Sequence, residues 1–161
     1  MSGWAYVPEG QTATCGPVNL NPELIAIYHG VTKPTSFNAE LTALLEALRY
    51  INSQPPNETT CTIIGDCIGS LGAARGYSSP KQDIQLLKLL RNEWSKAGLR
   101  QTTATWTAAH QGPAGNELAD LAAKRACSRE YSVENTAYAK FTNEELQFSM
   151  STNRIQQKMK L

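Results

Sequence analysis

Five apolar residues, Leu41, Leu44, Leu45, Leu48 and Ile51, recur at the spacing of one helix face. They predict a helix over about Asn38–Asn52, and Ser53-Gln-Pro-Pro-Asn-Glu ends it. A stripe of this width needs a broad apolar surface to cover it. The next segment supplies one, because Thr59–Ile64 is apolar, β-branched and short, as a buried strand is. A helix beside a buried strand already points to layered α/β architecture.

The flanking segments extend that pattern. Gly3–Val7 and Gln11–Val18 read as strands of a hairpin across Pro8-Glu9-Gly10. Asn19–Ser36 carries Pro22, Gly30 and Pro34 and reads as a long connection, in which Leu24–Tyr28 could form a further short strand. A short helix is expected over Cys67–Arg75. Another is expected to start at Ser79-Pro80-Lys81-Gln82, with serine as cap and proline in the first helical position. It should run to about Ala97 with Ile84, Leu87, Leu90 and Trp94 inward, and Asp83 in its first turn would suit the helix dipole. Gln101–Ala108 reads as a strand, His110–Gly115 as a loop and Asn116–Arg129 as a helix. The fold class is therefore α/β, a mixed sheet with helices packed on it. The domain should occupy residues 1–130, followed by a polar tail over 131–161, helical near Asn143–Met150.

Composition narrows the setting. With 161 residues, 41% of them hydrophobic and 18% charged, the chain can bury a core. A net charge of +1, spread evenly, provides no general field to attract nucleic acid, so any such binding needs a local patch. The four cysteines lack zinc-finger spacing and read as free thiols in a reducing compartment. No basic leader followed by an apolar run opens the chain, and no apolar run approaches the ~20 residues of a membrane span. A cytoplasmic or nuclear location, with no membrane partner, is the expectation.

The acidic residues carry the chemical signal. The chain has three aspartates, Asp66, Asp83 and Asp120. Asp66 ends the buried strand, where α/β proteins build ligand sites. Glu40 stands near the start of the long helix. Asp120 stands early in the last helix, ten residues after His110. Taken singly, Glu40 suits a solvated helix start, and Asp120 suits an ion pair with Lys124 one turn on.

Their sequence contexts are more specific. Phe37-Asn-Ala-Glu-Leu-Thr-Ala-Leu-Leu-Glu-Ala-Leu resembles the helix of type 1 ribonuclease H that carries a catalytic glutamate. Thr62-Ile-Ile-Gly-Asp-Cys-Ile-Gly-Ser-Leu resembles its strand and turn with the central aspartate. Trp106-Thr-Ala-Ala-His-Gln-Gly-Pro-Ala-Gly-Asn-Glu-Leu-Ala-Asp resembles its histidine loop and last aspartate. The three matches and the order of elements together span about residues 3–129, and the helix and histidine-loop wording is similar to that of retroelement members. The resemblance implies a ribonuclease H-like fold and hydrolysis of the RNA strand of RNA/DNA hybrids. It implies that Glu40, Asp66 and Asp120 hold Mg²⁺, with Mn²⁺ as substitute, in a two-ion site. It also makes His110 a proton shuttle or product-release aid. Glu117, three positions before Asp120, would support the same site.

One part of the family pattern is missing. The family begins its site with an aspartate on a first strand that lies mid-sheet. In one threading Gly3–Val7 is the second strand and the first is missing from the chain. In the other, Gly3–Val7, Gln11–Val18 and Leu24–Tyr28 are the three strands, and Glu9 is the fourth carboxylate. The alternatives to an active nuclease follow. One is a catalytically impaired ribonuclease H-like module that binds nucleic acid or protein. Another is a fragment of a reverse-transcriptase-type polyprotein that works beside a polymerase domain.

Overall fold

A computed structural model describes residues 2–55, 61–65, 67–78, 80–98, 102–106 and 114–147. The chain opens with the expected hairpin, β1 (Gly3–Tyr6) and β2 (Ala13–Pro17), antiparallel with Ala5 opposite Cys15. The two faces of β1 bury different cores. Trp4 and Tyr6 face one, while Ala5 and Val7 pack into the other, as the two-residue period of a strand dictates.

The first core is built by α1 (Ser36–Ser53), whose Leu41, Leu44, Leu45 and Leu48 are buried as the stripe predicted. The helix starts two residues earlier than expected, because Thr35 and Asn38 form a reciprocal capping box. Against α1 lie α2 (Ile68–Ala74) and α3 (Ile84–Gly98), which contribute Leu71, Leu86, Leu87 and Leu90. Ile63 of β3 (Cys61–Gly65) joins them. The second core lies across the hairpin, where α4 (Ala114–Ala126) supplies Leu118, Ala122 and Ala126. Helix and strand approach so closely that a Cβ at Gly3 would run into the Ala123 carbonyl.

Strand β3 pairs in parallel with β4 (Thr102–Trp106), Ile63 opposite Ala104. Among the described residues this pair forms a sheet of its own, separate from β1-β2-β5. No ladder joins the two sheets among the described residues. The edges of β1 and β3 that are not used in these pairings are those between which the family resemblance inserts a first strand.

Four expectations need correction. Leu24–Tyr28 is not a strand, since Ile25–Ile27 is a 3₁₀ turn. Asn19 and Asn21 each accept a bond from a backbone N–H two residues on, at 3.1 and 3.0 Å, and these turns compete with a ladder. Helix α3 starts at Ile84, not near Ser79, because Asp83 takes a left-handed φ of 57° immediately before it. Asp83 therefore precedes the first turn, and Ile84 is exposed rather than inward. Residues Ala114 and Gly115, assigned to a loop, open α4.

Finally, the chain after residue 130 is no simple tail. β5 (Ala139–Phe141) pairs with β2, Cys15 opposite Ala139, and Phe141 and Leu146 are buried in the second core. Arg125 and Arg129 of α4 and the residues after it lie over the Phe141 ring, at 4.4 and 5.4 Å. The helical turn expected near Asn143–Met150 is present over residues 143–147.

The segment is also fastened through Tyr138. Its ring meets Trp4 edge-on at 4.6 Å, and its hydroxyl donates to Glu46 Oε1 at 3.0 Å. Glu46 is buried in α1, where Arg49 Nη1 donates to the same oxygen at 3.0 Å and His29 Nε2 lies 3.6 Å away. Tyr131 donates to the Pro17 carbonyl at 2.9 Å.

Two predictions follow from this packing. Phe141→Ala should cost about 3–5 kcal/mol in urea unfolding of the full chain, the loss expected of a buried aromatic rather than of a tail residue. Alkaline pH should also unfold the protein. Burial, then the Glu46 charge, pushes the Tyr138 phenol far above its ordinary 10.0, burial raises Tyr131 likewise, and burial pushes Cys15 up to about 11. Raised folded-state values mean that this stability is whole below the unfolded values and is lost as pH rises above them. Thermal melts should therefore fall above about pH 10, and Tyr138→Phe should flatten that fall.

Candidate active site

Glu40 lies in the second turn of α1, half-buried, on the helix end fixed by the Thr35–Asn38 capping box. Its helix is long and regular because the leucine stripe holds it against α3, so the carboxylate has a rigid base. Glu117 lies in the first turn of α4, and Asp120 follows three residues later near the same face. Both are half-buried. Asp120 Oδ2 lies 3.1 Å from Lys124 Nζ, the one-turn ion pair that the spacing suggests.

Asp66 and His110 lie outside the described residues. The strand that leads to Asp66 is in place, since β3 ends at Gly65 beside Trp106 of β4. The chain order of β4 and α4 likewise brackets the segment with His110. Among the described residues, no three His, Cys, Asp or Glu side chains stand close enough to hold an ion.

The geometry sets a condition on the acids. α1 packs on the Trp4 and Tyr6 face of β1, α4 on the Ala5 and Val7 face. Glu40 and Asp120 therefore come from opposite sides of the hairpin sheet. They can approach one another only around a strand end or past an edge of that sheet, and β1 offers an edge unused by the β2 pairing.

Glu9 lies in the segment that joins β1 to β2. It is exposed in the hairpin turn, and the neighbouring Gln11 accepts a bond from the Tyr50 hydroxyl at 2.9 Å. Tyr50 stands ten residues, or about 15 Å, further along α1 than Glu40. With Leu24–Tyr28 not a strand, the three-strand threading that made Glu9 a fourth carboxylate loses its third strand.

Two polar centres escaped the sequence reading. Asn38, 1% exposed, donates to the Lys33 carbonyl at 2.8 Å as well as capping α1. The Thr35-x-x-Asn38 spacing is the signal for it, with asparagine where glutamate or glutamine is usual. Glu46, buried with Tyr138 and His29, left no local signal, because its partners lie 92 and 17 residues away.

The chain is 28% identical, over 123 residues, to a protein named Ribonuclease H from Methylorubrum extorquens (strain PA1). The chain is similar to a ribonuclease H. The match covers 73% of this chain and 50% of that protein, so the chain spans about half the length of the relative it matches. No family model matches, and no solved structure matches. The ribonuclease H-like relationship agrees with the mixed α/β architecture, and no described helix is long and apolar enough to cross a membrane.

The Asp120–Lys124 pair is exposed enough to add little to folding. One-turn pairs of this kind contribute about 0.3–0.5 kcal/mol. Asp120→Asn should accordingly move the melting temperature by no more than about 2 °C, measured by circular dichroism. A larger fall would mean that the carboxylate serves the fold rather than a site.

Proposed function

We propose that the chain is a ribonuclease H-type domain that hydrolyses the RNA strand of RNA/DNA hybrids with a divalent metal. The observation that carries this reading is the 123-residue similarity to a ribonuclease H. The order of elements from β1 to α4 supports it. Glu40, Asp66 and Asp120 would hold Mg²⁺, or Mn²⁺ in its place, because hard cations select carboxylate oxygens. Two such ions, when bound, activate water and stabilise the leaving 3′-oxygen.

The chain's own residues have separable tasks in this reading. Glu40 presents an oxygen from a capped, immobile helix end. Asp66 presents one from the end of a strand. Asp120 exchanges its Lys124 partner for the site. Glu117 adds negative charge one turn earlier on α4. His110 takes or gives a proton near the scissile phosphate, since imidazole titrates near neutrality. The hybrid would be recognised by its shape and 2′-hydroxyls, with little base specificity. The whole activity, like the expected cytoplasmic or nuclear setting and a neighbouring polymerase domain, belongs to this proposal.

A second reading is favoured by the two separate sheets seen among the described residues. Between β1 and β3 there is no ladder among the described residues, and the resemblance places the strand with the first catalytic aspartate there. Without that carboxylate the domain would be catalytically impaired and retained for binding, or completed by chain upstream in a larger polyprotein.

Both readings meet in one assay. A labelled RNA/DNA hybrid is incubated with the chain, with Asp66→Asn and with a chain extended by a Thr-Asp-Gly strand. We expect weak cleavage by the chain, more with Mn²⁺ than Mg²⁺, none by Asp66→Asn, and a rise of about 100-fold or more on extension. Full Mg²⁺-dependent turnover by the unextended chain would show that no first strand is needed. Equal activity in Asp66→Asn would remove the nuclease assignment.

A further inference from the structure

Asp83 adopts a backbone conformation that a non-glycine residue enters at a cost. Its φ of 57° is the one positive value outside glycine among the described residues. Aspartate tolerates this region better than most residues, yet such strain persists only where the surroundings over-determine it. The surroundings here are one corner of the fold. Asp83 closes the first turn of α3 through its carbonyl, which accepts from Leu87 N at 2.9 Å. Its carboxylate Oδ1 faces Asn38 Nδ2 of α1 at 3.5 Å.

Asn38 is saturated from three directions. Oδ1 accepts from Thr35 N at 2.9 Å, while Nδ2 donates to the Lys33 carbonyl at 2.8 Å and points its other hydrogen toward Asp83. The connection before α1 is pressed into the same corner. Gly30 has a φ of 80°, and a Cβ there would lie 2.7 Å from Gln85 Oε1 in the first turn of α3. Thus the start of α1, the 30–35 segment and the start of α3 are tied together, and Glu40 lies two residues beyond Asn38.

We infer that Asp83 is a positioning residue: through Asn38 it fixes the N-terminal turns of α1, and with them the Glu40 carboxylate. The inference rests on the proposed role of Glu40. Helix α3 does not need the strained aspartate in order to form, because glycine would enter the same φ without cost. What glycine cannot supply is the second acceptor. Asn38 Nδ2 would keep the Lys33 carbonyl but lose the Asp83 oxygen, and a buried amide hydrogen left without a partner should raise local opening roughly tenfold.

Hydrogen exchange of the full chain, read by mass spectrometry, tests this with Asp83→Gly and Asp83→Asn. Asp83→Gly should speed exchange over residues 36–41 by about tenfold, with α3 and the rest of α1 unchanged. Asp83→Asn keeps an oxygen acceptor and tolerates the same φ, and it should exchange as the parent does. Mn²⁺ titration, read by paramagnetic resonance, should show affinity falling about tenfold in Asp83→Gly alone. Unchanged exchange over 36–41, or a rise spread evenly over α1 and α3, would overturn the inference. If the exchange result holds while the parent chain binds no Mn²⁺, the ion-site reading fails and the positioning of α1 stands.

Discussion

The structure depends on one strand serving two cores. β1 sends Trp4 and Tyr6 toward α1 and Ala5 and Val7 toward α4, and Gly3 lets α4 approach to backbone contact. The apolar stripe of α1 and the small-residue face of α4 are thereby held on opposite sides of a sheet one strand thick. Glu40 and Asp120 stand on helices on its two sides. The hairpin in turn depends on β5, which extends it at β2, and on Tyr131 and Tyr138, which hold the returning chain against Pro17 and Glu46.

Glu46 shows what this return costs. A carboxylate in the interior is unfavourable unless it is paired and bonded, and here Arg49 and the Tyr138 hydroxyl reach the same oxygen, with His29 near it. Three stretches distant in sequence are thus joined at one buried charge: the long connection through His29, α1, and the segment after α4. The arrangement gives specificity of docking to a segment whose composition alone would read as solvated.

Much of the fold could be read from the residues. The leucine stripe marked α1, the β-branched run marked β3, although its Thr62 and Ile64 are exposed where a buried strand was expected, and the strand formers of Gly3–Val7 before the Pro8-Glu9-Gly10 break marked the hairpin. What could not be read was set at a distance. Ala139–Phe141 is too short to signal a strand, and it becomes one because β2 presents an edge and the second core receives Phe141. The start of α3 was misplaced because Ser79-Pro80 has the chemistry of a cap, whereas contact with Asn38 favours a break at Asp83. Leu24–Tyr28 was apolar enough for a strand, but the preceding asparagines turn the chain upon itself. Of the site, Glu40, Glu117 and Asp120 stand on the expected helices, and Glu9 stands exposed in the hairpin turn. The sheet wall explains why sequence spacing alone could not show whether the acids meet.

Anomalous diffraction from a crystal of the full chain soaked in Mn²⁺ tests the central claim, that Glu40, Asp66 and Asp120 form one metal site, most directly. The account predicts a manganese peak with oxygens of all three carboxylates around it, at the end of β3 and beside the edge of β1 that faces away from β2. Carboxyl groups of any of the three lying more than about 8 Å from the other two, with manganese absent from between them, would contradict it.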